Sequence, residues 1–185
     1  MTKLSVNLNK IALLRNSRAI GIPSVSRAAR ICIRAGAQGI TLHPRPDERH
    51  AKPSDVYELA EFLAETPAVE FNIEGNPFPQ FMEIVRRVKP TQCTLVPDSP
   101  EALTSDHGWN LDEDGERLKP IIEELKGMGI RVSLFMDADS PHIEKAQEIG
   151  ADRIELYTEP YAAAYGGDDE EAMFELFRLA AGRGP

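Results

Sequence analysis

The chain has 185 residues, enough for one sizeable hydrophobic core and hardly for two. A formal net charge of −9 and a pI near 5.0 argue against broad binding of nucleic acid or an anionic membrane, leaving room for a local basic pocket. Hydrophobic residues at 42% and charged residues at 28% are ordinary for a globular protein; with no apolar signal core at the N-terminus and no run of membrane-spanning length, a cytoplasmic setting is expected.

Residues 3–7 alternate in polarity and predict a first strand. Residues 8–22 show no such period and are expected to form a polar, mobile connection carrying Arg15, Asn16 and Arg18. Ser24 predicts the N-cap of a helix with the apolar stripe Val25, Ala28, Ala29, Ile31, Cys32 and Ala35, closed by Gly36. Residues 40–43 predict the second strand. It runs into a loop stiffened by Pro44 and Pro46 and loaded with Arg45, Arg49 and His50. Arginine presents a planar donor fork that matches phosphates and carboxylates, so this loop is either an anion site or a solvated charged turn.

Ser54 predicts the cap of a helix ending near Glu65, followed by a strand at 69–74, a helix at 78–88 and a strand at 92–96. A long loop is expected at 97–114. The next helix falls between Gly115 and Lys126, where Pro120 marks either a start near Lys119 or a kink. A strand at 131–137, a helix at 141–149, a strand at 153–158, a second long loop and a helix at 170–181 complete the chain. Asp137 and Asp139 precede Ser140-Pro141 and are expected to cap that helix. Cys32 and Cys93 lie in apolar-periodic stretches without metal-ligand spacing and are expected as reduced core residues.

Strict strand-then-helix alternation without a linker implies a parallel sheet in a single domain, residues 1–185. Each strand pairs an apolar face with a polar one. Thr41 and His43 oppose Ile40 and Leu42, Asn72 and Glu74 oppose Phe71 and Ile73, and Glu155 lies between Ile154 and Leu156. An open doubly wound sheet would bury apolar residues on both faces. A polar face turned inward instead fits a (β/α)8 barrel of TIM type, whose sites lie at the carboxyl ends of its strands. Asn7, His43, Glu74, Thr94 with the loop after it, Asp137, and Glu155 with Tyr157 are expected at those ends, and His43 with the two glutamates could carry general acid–base chemistry. A complete barrel needs eight βα units and about 250 residues, whereas about six are encoded here.

The stretches 7–18 (Asn7-Leu8-Asn9-Lys10 onwards), 39–50, Phe71-Asn72-Ile73-Glu74, Cys93-Thr94-Leu95-Val96-Pro97, 132–137 and 153–158 together resemble the pyridoxine 5′-phosphate synthase family of deoxyxylulose-dependent vitamin B6 synthesis, from Lys3 to about Ala181. The resemblance implies a homo-oligomeric barrel, typically an octamer. It would condense 1-deoxy-D-xylulose 5-phosphate with 3-amino-2-oxopropyl phosphate, without metal or organic cofactor. It implies His43 and Glu74 as proton acceptors and Glu155 as a transition-state stabiliser. Arg45, His50 and Thr104 would hold the deoxyxylulose phosphate, and Asn7 and Arg18 the aminoketone phosphate. Asn9 and Lys10 stand where many members have a substrate-contacting Asp-His pair. The family also has a seventh strand with a histidine proton donor and an eighth with a Gly-His phosphate site. Neither motif occurs in these 185 residues, so a truncated, catalytically inactive fragment or a phosphate-binding descendant is the alternative expectation.

Overall fold

The computed structural model describes residues 2–99 and 105–185. The chain divides into two compact units, one running to Cys93 and including Met128–Ile130, the other holding Thr94–Gly127 and Arg131–Pro185.

In the first unit β1 (Ser5–Asn7), β2 (Gly39–Leu42) and β3 (Glu70–Gly75) run parallel in chain order, with Val6 beside Ile40 and Ile40 beside Phe71. Parallel neighbours require crossovers, and helices supply them. The helices are α1 (Asn9–Asn16), α2 (Val25–Arg34), α3 (Pro53–Ala64) and α4 (Pro79–Val88), and the last leads into β4 (Gln92–Leu95). Ile40, Leu42, Ile73 and Cys93 are fully buried, as are Val56 and Leu59 of α3 and Val85 of α4. At roughly 1.5–3 kcal/mol for each large aliphatic side chain, this layer fastens the helices to the strands. Ser24 caps α2 as expected, its Oγ accepting from Arg27 N–H at 3.1 Å, and Gly36 closes the helix with φ +105°.

Three expectations for this unit are corrected. Residues 8–22 are not a mobile connection: α1 occupies half of them. Its only apolar anchors are Leu8 and Ala12, one turn apart, while Leu13 and Leu14 are exposed, so no amphipathic stripe announces it. Asn7 starts it instead, Oδ1 accepting from Asn9 N–H at 2.8 Å. The third helix enters at Lys52 rather than Ser54, because Pro53 at the first helical position has no N–H to leave unpaired and Asp55 Oδ2 accepts from Lys52 N–H at 2.8 Å. Cys32, expected in the core, is only half-buried.

The second unit contains the end of β4, then α5 (Leu111–Gly127), β5 (Arg131–Met136), α6 (Lys145–Glu148), β6 (Arg153–Leu156), α7 (Glu159–Ala164) and α8 (Glu170–Arg183). β5 and β6 are parallel, Phe135 beside Glu155. α5 begins four residues before Gly115, because its buried stripe Leu111, Gly115, Leu118, Ile122 and Leu125 starts there. Its first turn carries Asp112, Glu113 and Asp114, favourable at the positive end of the helix dipole. Pro120 is exposed, so the helix passes through it with its ring outward. The helix expected at 141–149 is regular only over Lys145–Glu148, and the loop expected at 159–169 contains α7, whose Tyr161 packs on Phe177 of α8 with ring centroids 5.7 Å apart. Arg183 ties α8 to Glu144, Nε donating to Oε1 at 2.5 Å and Nη2 to Oε2 at 2.7 Å.

Asp137 does not cap the segment that follows it. Its Oδ2 accepts from Gly108 N–H at 2.9 Å, while Trp109 donates its backbone N–H to Phe135 O at 2.9 Å and its indole N–H to Leu95 O at 2.8 Å. The loop before α5 is thereby pinned to the ends of β4 and β5. Glycine is required at 108, since a Cβ there would stand 2.3 Å from the backbone nitrogen of Asp137. Parallel strands consecutive in the chain, each followed by helix, are the βα progression of a TIM-type α/β barrel fold carried through six strands.

Candidate active site

The polar faces anticipated from strand parity are buried in the first unit and joined to one another. Thr41, His43, Asn72 and Glu74 are each less than a tenth exposed. Ser5 Oγ and Thr41 Oγ1 share a hydrogen bond at 3.0 Å, and Asn72 Nδ2 donates to Thr41 Oγ1 at 3.4 Å and to Glu74 Oε1 at 3.3 Å. Asn7 Nδ2 donates to the other carboxylate oxygen, Oε2, at 3.3 Å. Two amides, Asn7 at the end of β1 and Asn72 two residues before Glu74 on β3, thus fix the plane of the Glu74 carboxylate, one oxygen each. A carboxylate in such a place is costly without partners, and these amides supply them.

His43 follows directly on the end of the neighbouring strand, β2. Its backbone N–H donates to Asn9 Oδ1 at 2.8 Å, so the first residue of α1 anchors the point where β2 becomes loop. Asn9, expected to contact substrate, therefore also sets the backbone of the candidate base. His43 and His50 meet edge to face with ring centroids 6.0 Å apart. Arg45 between them in sequence is 5% exposed. Burial, the Arg45 guanidinium and His50 together depress His43 to a pKa of about 3. Burial and Arg45 likewise lower His50, helped by Arg49 and Lys10 and opposed by Asp47. Both rings are therefore neutral near pH 7, in a pocket whose fixed charge is cationic.

This predicts acid sensitivity. Unfolded, His43 takes up a proton near pH 6.5; folded, only near about 3. Between these values the unfolded chain binds more protons, so stability is complete above about 6.5 and is lost as pH falls towards 3. The contribution is roughly 3–5 kcal/mol. Urea midpoints recorded across this range should fall less steeply for His43→Asn than for the parent; parallel curves would refute the assignment.

Of the other residues expected in the site, Lys10 lines an open cavity of about 500 Å3 with Leu13, Leu14, Asn16, Ser17 and Arg49. Arg18 is exposed just beyond α1. Arg49 pairs with Asp47, Nε donating to Oδ2 at 2.5 Å. Thr104 lies outside the described residues. In the second unit Glu155 sits on β6. The residue is half-exposed, yet atoms packed around its carboxyl push its pKa up, against a hydrogen bond from Thr94 that lowers it. Among the described residues no group of three or more His, Cys, Asp or Glu side chains is placed to hold a metal ion. None of their helices is long and apolar enough to cross a membrane.

Sequence reading missed Thr41 and Asn72 as ligands of the site's hydrogen-bond chain, although their shared parity with His43 and Glu74 was the signal. It also missed the grip of α1 on the histidine loop, where Asn16 Nδ2 donates to the carbonyls of Glu48, Arg49 and His50, for which no periodic signal exists.

The family model described as "Pyridoxal phosphate biosynthesis protein PdxJ" matches residues 4–184. Pyridoxine 5′-phosphate synthase of Albidiferax ferrireducens is 57% identical over 185 residues, covering 97% of this chain and 73% of the relative. The proteins of that name from Xanthomonas campestris pv. campestris and Porphyromonas gingivalis are 53% and 52% identical, each over 98% of this chain and 73% and 74% of the relative. Among solved structures, HMG-CoA lyase of Brucella melitensis aligns with a TM-score of 0.57 at 16% identity, over 97% of this chain and 68% of its own. Dihydropteroate synthase of Yersinia pestis aligns at 0.51 and 10%, over 97% and 84%. At such identities these two share the fold alone.

Proposed function

The chain belongs to the family of pyridoxal phosphate biosynthesis proteins PdxJ, and from that membership we propose that it acts as a pyridoxine 5′-phosphate synthase. It condenses 1-deoxy-D-xylulose 5-phosphate with 3-amino-2-oxopropyl phosphate, releasing phosphate and water. The observation that carries this reading is the buried Arg45 beside two histidines held neutral. It is a local cationic pocket in a chain of net charge −9, next to a carboxylate held by two amides.

The chemistry asks for what these groups offer. Joining an amine to a ketone expels water and moves protons on and off nitrogen and oxygen; building the ring then removes protons from carbon. Neutral imidazole and oriented carboxylate are proton acceptors, so His43 and Glu74 take these protons. Arg45 and His50, with Thr104, receive the sugar phosphate; Asn7 and Arg18 receive the aminoketone phosphate, and Asn9 and Lys10 contact substrate. Glu155 stabilises the transition state; burial of its carboxyl raises its pKa, against the hydrogen bond from Thr94. A phosphate on the Arg45 loop would offset the positive charge that depresses His43, so substrate binding strengthens the base.

Self-association to a homo-octamer in the cytoplasm accompanies this activity. It is supported by Leu13, Leu14, Ile20 and Ile22, which the first unit leaves 43–62% exposed. The test is direct: the purified chain is mixed with both phosphates and the absorbance of pyridoxine phosphate is followed. Product formation that scales with protein is expected. No product at any protein concentration would overturn the proposal in favour of an inactive relative.

A further inference from the structure

We propose that Asn16, aligned by Arg15, is a positioning residue for the phosphate-binding loop: it clamps the loop backbone and thereby fixes which nitrogen of His50 faces the ligand. The inference rests on the reading of loop 45–50 as a phosphate site.

Asn16 closes α1, and its amide nitrogen reaches three successive carbonyls of the loop: Glu48 O at 3.2 Å, Arg49 O at 3.0 Å and His50 O at 2.8 Å. Two amide hydrogens shared among three acceptors hold the backbone in one shape. That shape needs holding, because Glu48 has φ +53°, a left-handed conformation unfavourable for a residue with a Cβ. The amide cannot flip. Its Oδ1 accepts from Arg15 Nε at 3.1 Å and Nη2 at 2.9 Å, and exchanging oxygen for nitrogen would set donor against donor. Arg15 is fixed in turn by an ion pair from Nη1 to Asp55 Oδ1 and by Nη2 donating to His50 O at 3.3 Å.

The consequence reaches the imidazole. With the backbone so held, Ala51 N–H donates to His50 Nδ1 at 2.8 Å. Nδ1 is then the acceptor, and the proton of the neutral ring sits on Nε2. His50 therefore presents an N–H, not a lone pair, away from its own backbone, which is the polarity a phosphate oxygen requires. Without the clamp, the strained loop relaxes, the Ala51 contact goes, and both tautomers form.

The cleanest variant is Asn16→Asp. It keeps an acceptor for Arg15 and replaces the donors to the three carbonyls by a carboxylate oxygen; Asn16→Ala removes the donors without adding charge, so a loss of phosphate affinity counts only where both variants show it. The readouts are the imidazole nitrogen shifts of His50 in 15N-histidine-labelled chain, and calorimetric affinity for 1-deoxy-D-xylulose 5-phosphate and for inorganic phosphate. In the parent a single Nε2–H tautomer is expected. In both variants mixed tautomers and about tenfold weaker binding of each probe are expected. A parent-like tautomer and affinity in Asn16→Asp, alongside weakened binding in His50→Ala, would overturn the positioning role. Unchanged binding in His50→Ala would instead overturn the phosphate reading of the loop, with the His50 tautomer in Asn16→Asp still deciding whether the clamp exists.

Discussion

Replacing His43 with asparagine is expected to lower turnover about 1000-fold, within the range a positioned proton acceptor contributes, while leaving the chain folded. The anchor at this position is the backbone N–H given to Asn9, which the substitution keeps. The imidazole is neutral near pH 7, so no ion pair is lost with it. KM for both phosphates should change little, because the phosphates are assigned to Arg45, His50, Asn7 and Arg18. Steady-state kinetics with circular dichroism as a check on folding separate the cases. Turnover within about tenfold of the parent would remove His43 from proton transfer. A large rise in KM at constant kcat would reassign it to binding.

Much of this site was legible because period-2 parity is a strong constraint. A residue on the polar face of one strand can only meet residues on the polar face of its neighbour, so Thr41, Asn72 and Glu74 converge once the strands are parallel and in chain order. The Ser24 cap and the Gly36 stop were readable for a similar reason, since few residues satisfy those backbone geometries. What escaped was structure without periodicity. α1 buries only Ala12, with Leu8 just before it, and spends its polar residues Asn9, Arg15 and Asn16 on a segment more than thirty positions away. Asp137 looked like a cap because Ser140 and Pro141 follow it, but its carboxylate goes to Gly108, a partner 29 residues upstream. Local pattern identifies what a polar side chain could bond; only the assembled backbone decides what it does bond.

Asp55→Ala is expected to destabilise the fold by about 3–5 kcal/mol, the usual consequence of removing one member of a buried ion pair. Asp55 and Arg15 have side chains only 6% and 15% exposed, and Asp55 also accepts the N–H that opens α3. Alanine leaves the guanidinium enclosed and the helix start unsatisfied, which urea unfolding would record as a lowered midpoint at constant slope. A loss under about 1 kcal/mol would mean that water reaches the guanidinium and the pair is of the weak, exposed kind. The double variant Arg15→Met/Asp55→Leu then separates two roles of one contact. Apolar residues of similar volume often replace a buried pair with little net cost, so stability should return to within about 1 kcal/mol of the parent. Phosphate affinity should not return, because methionine cannot hold the Asn16 amide against the carbonyls of Glu48, Arg49 and His50. Recovery of both together would show that the ion pair serves the fold alone; recovery of stability without affinity identifies it as the fixed end of the clamp that orients His50.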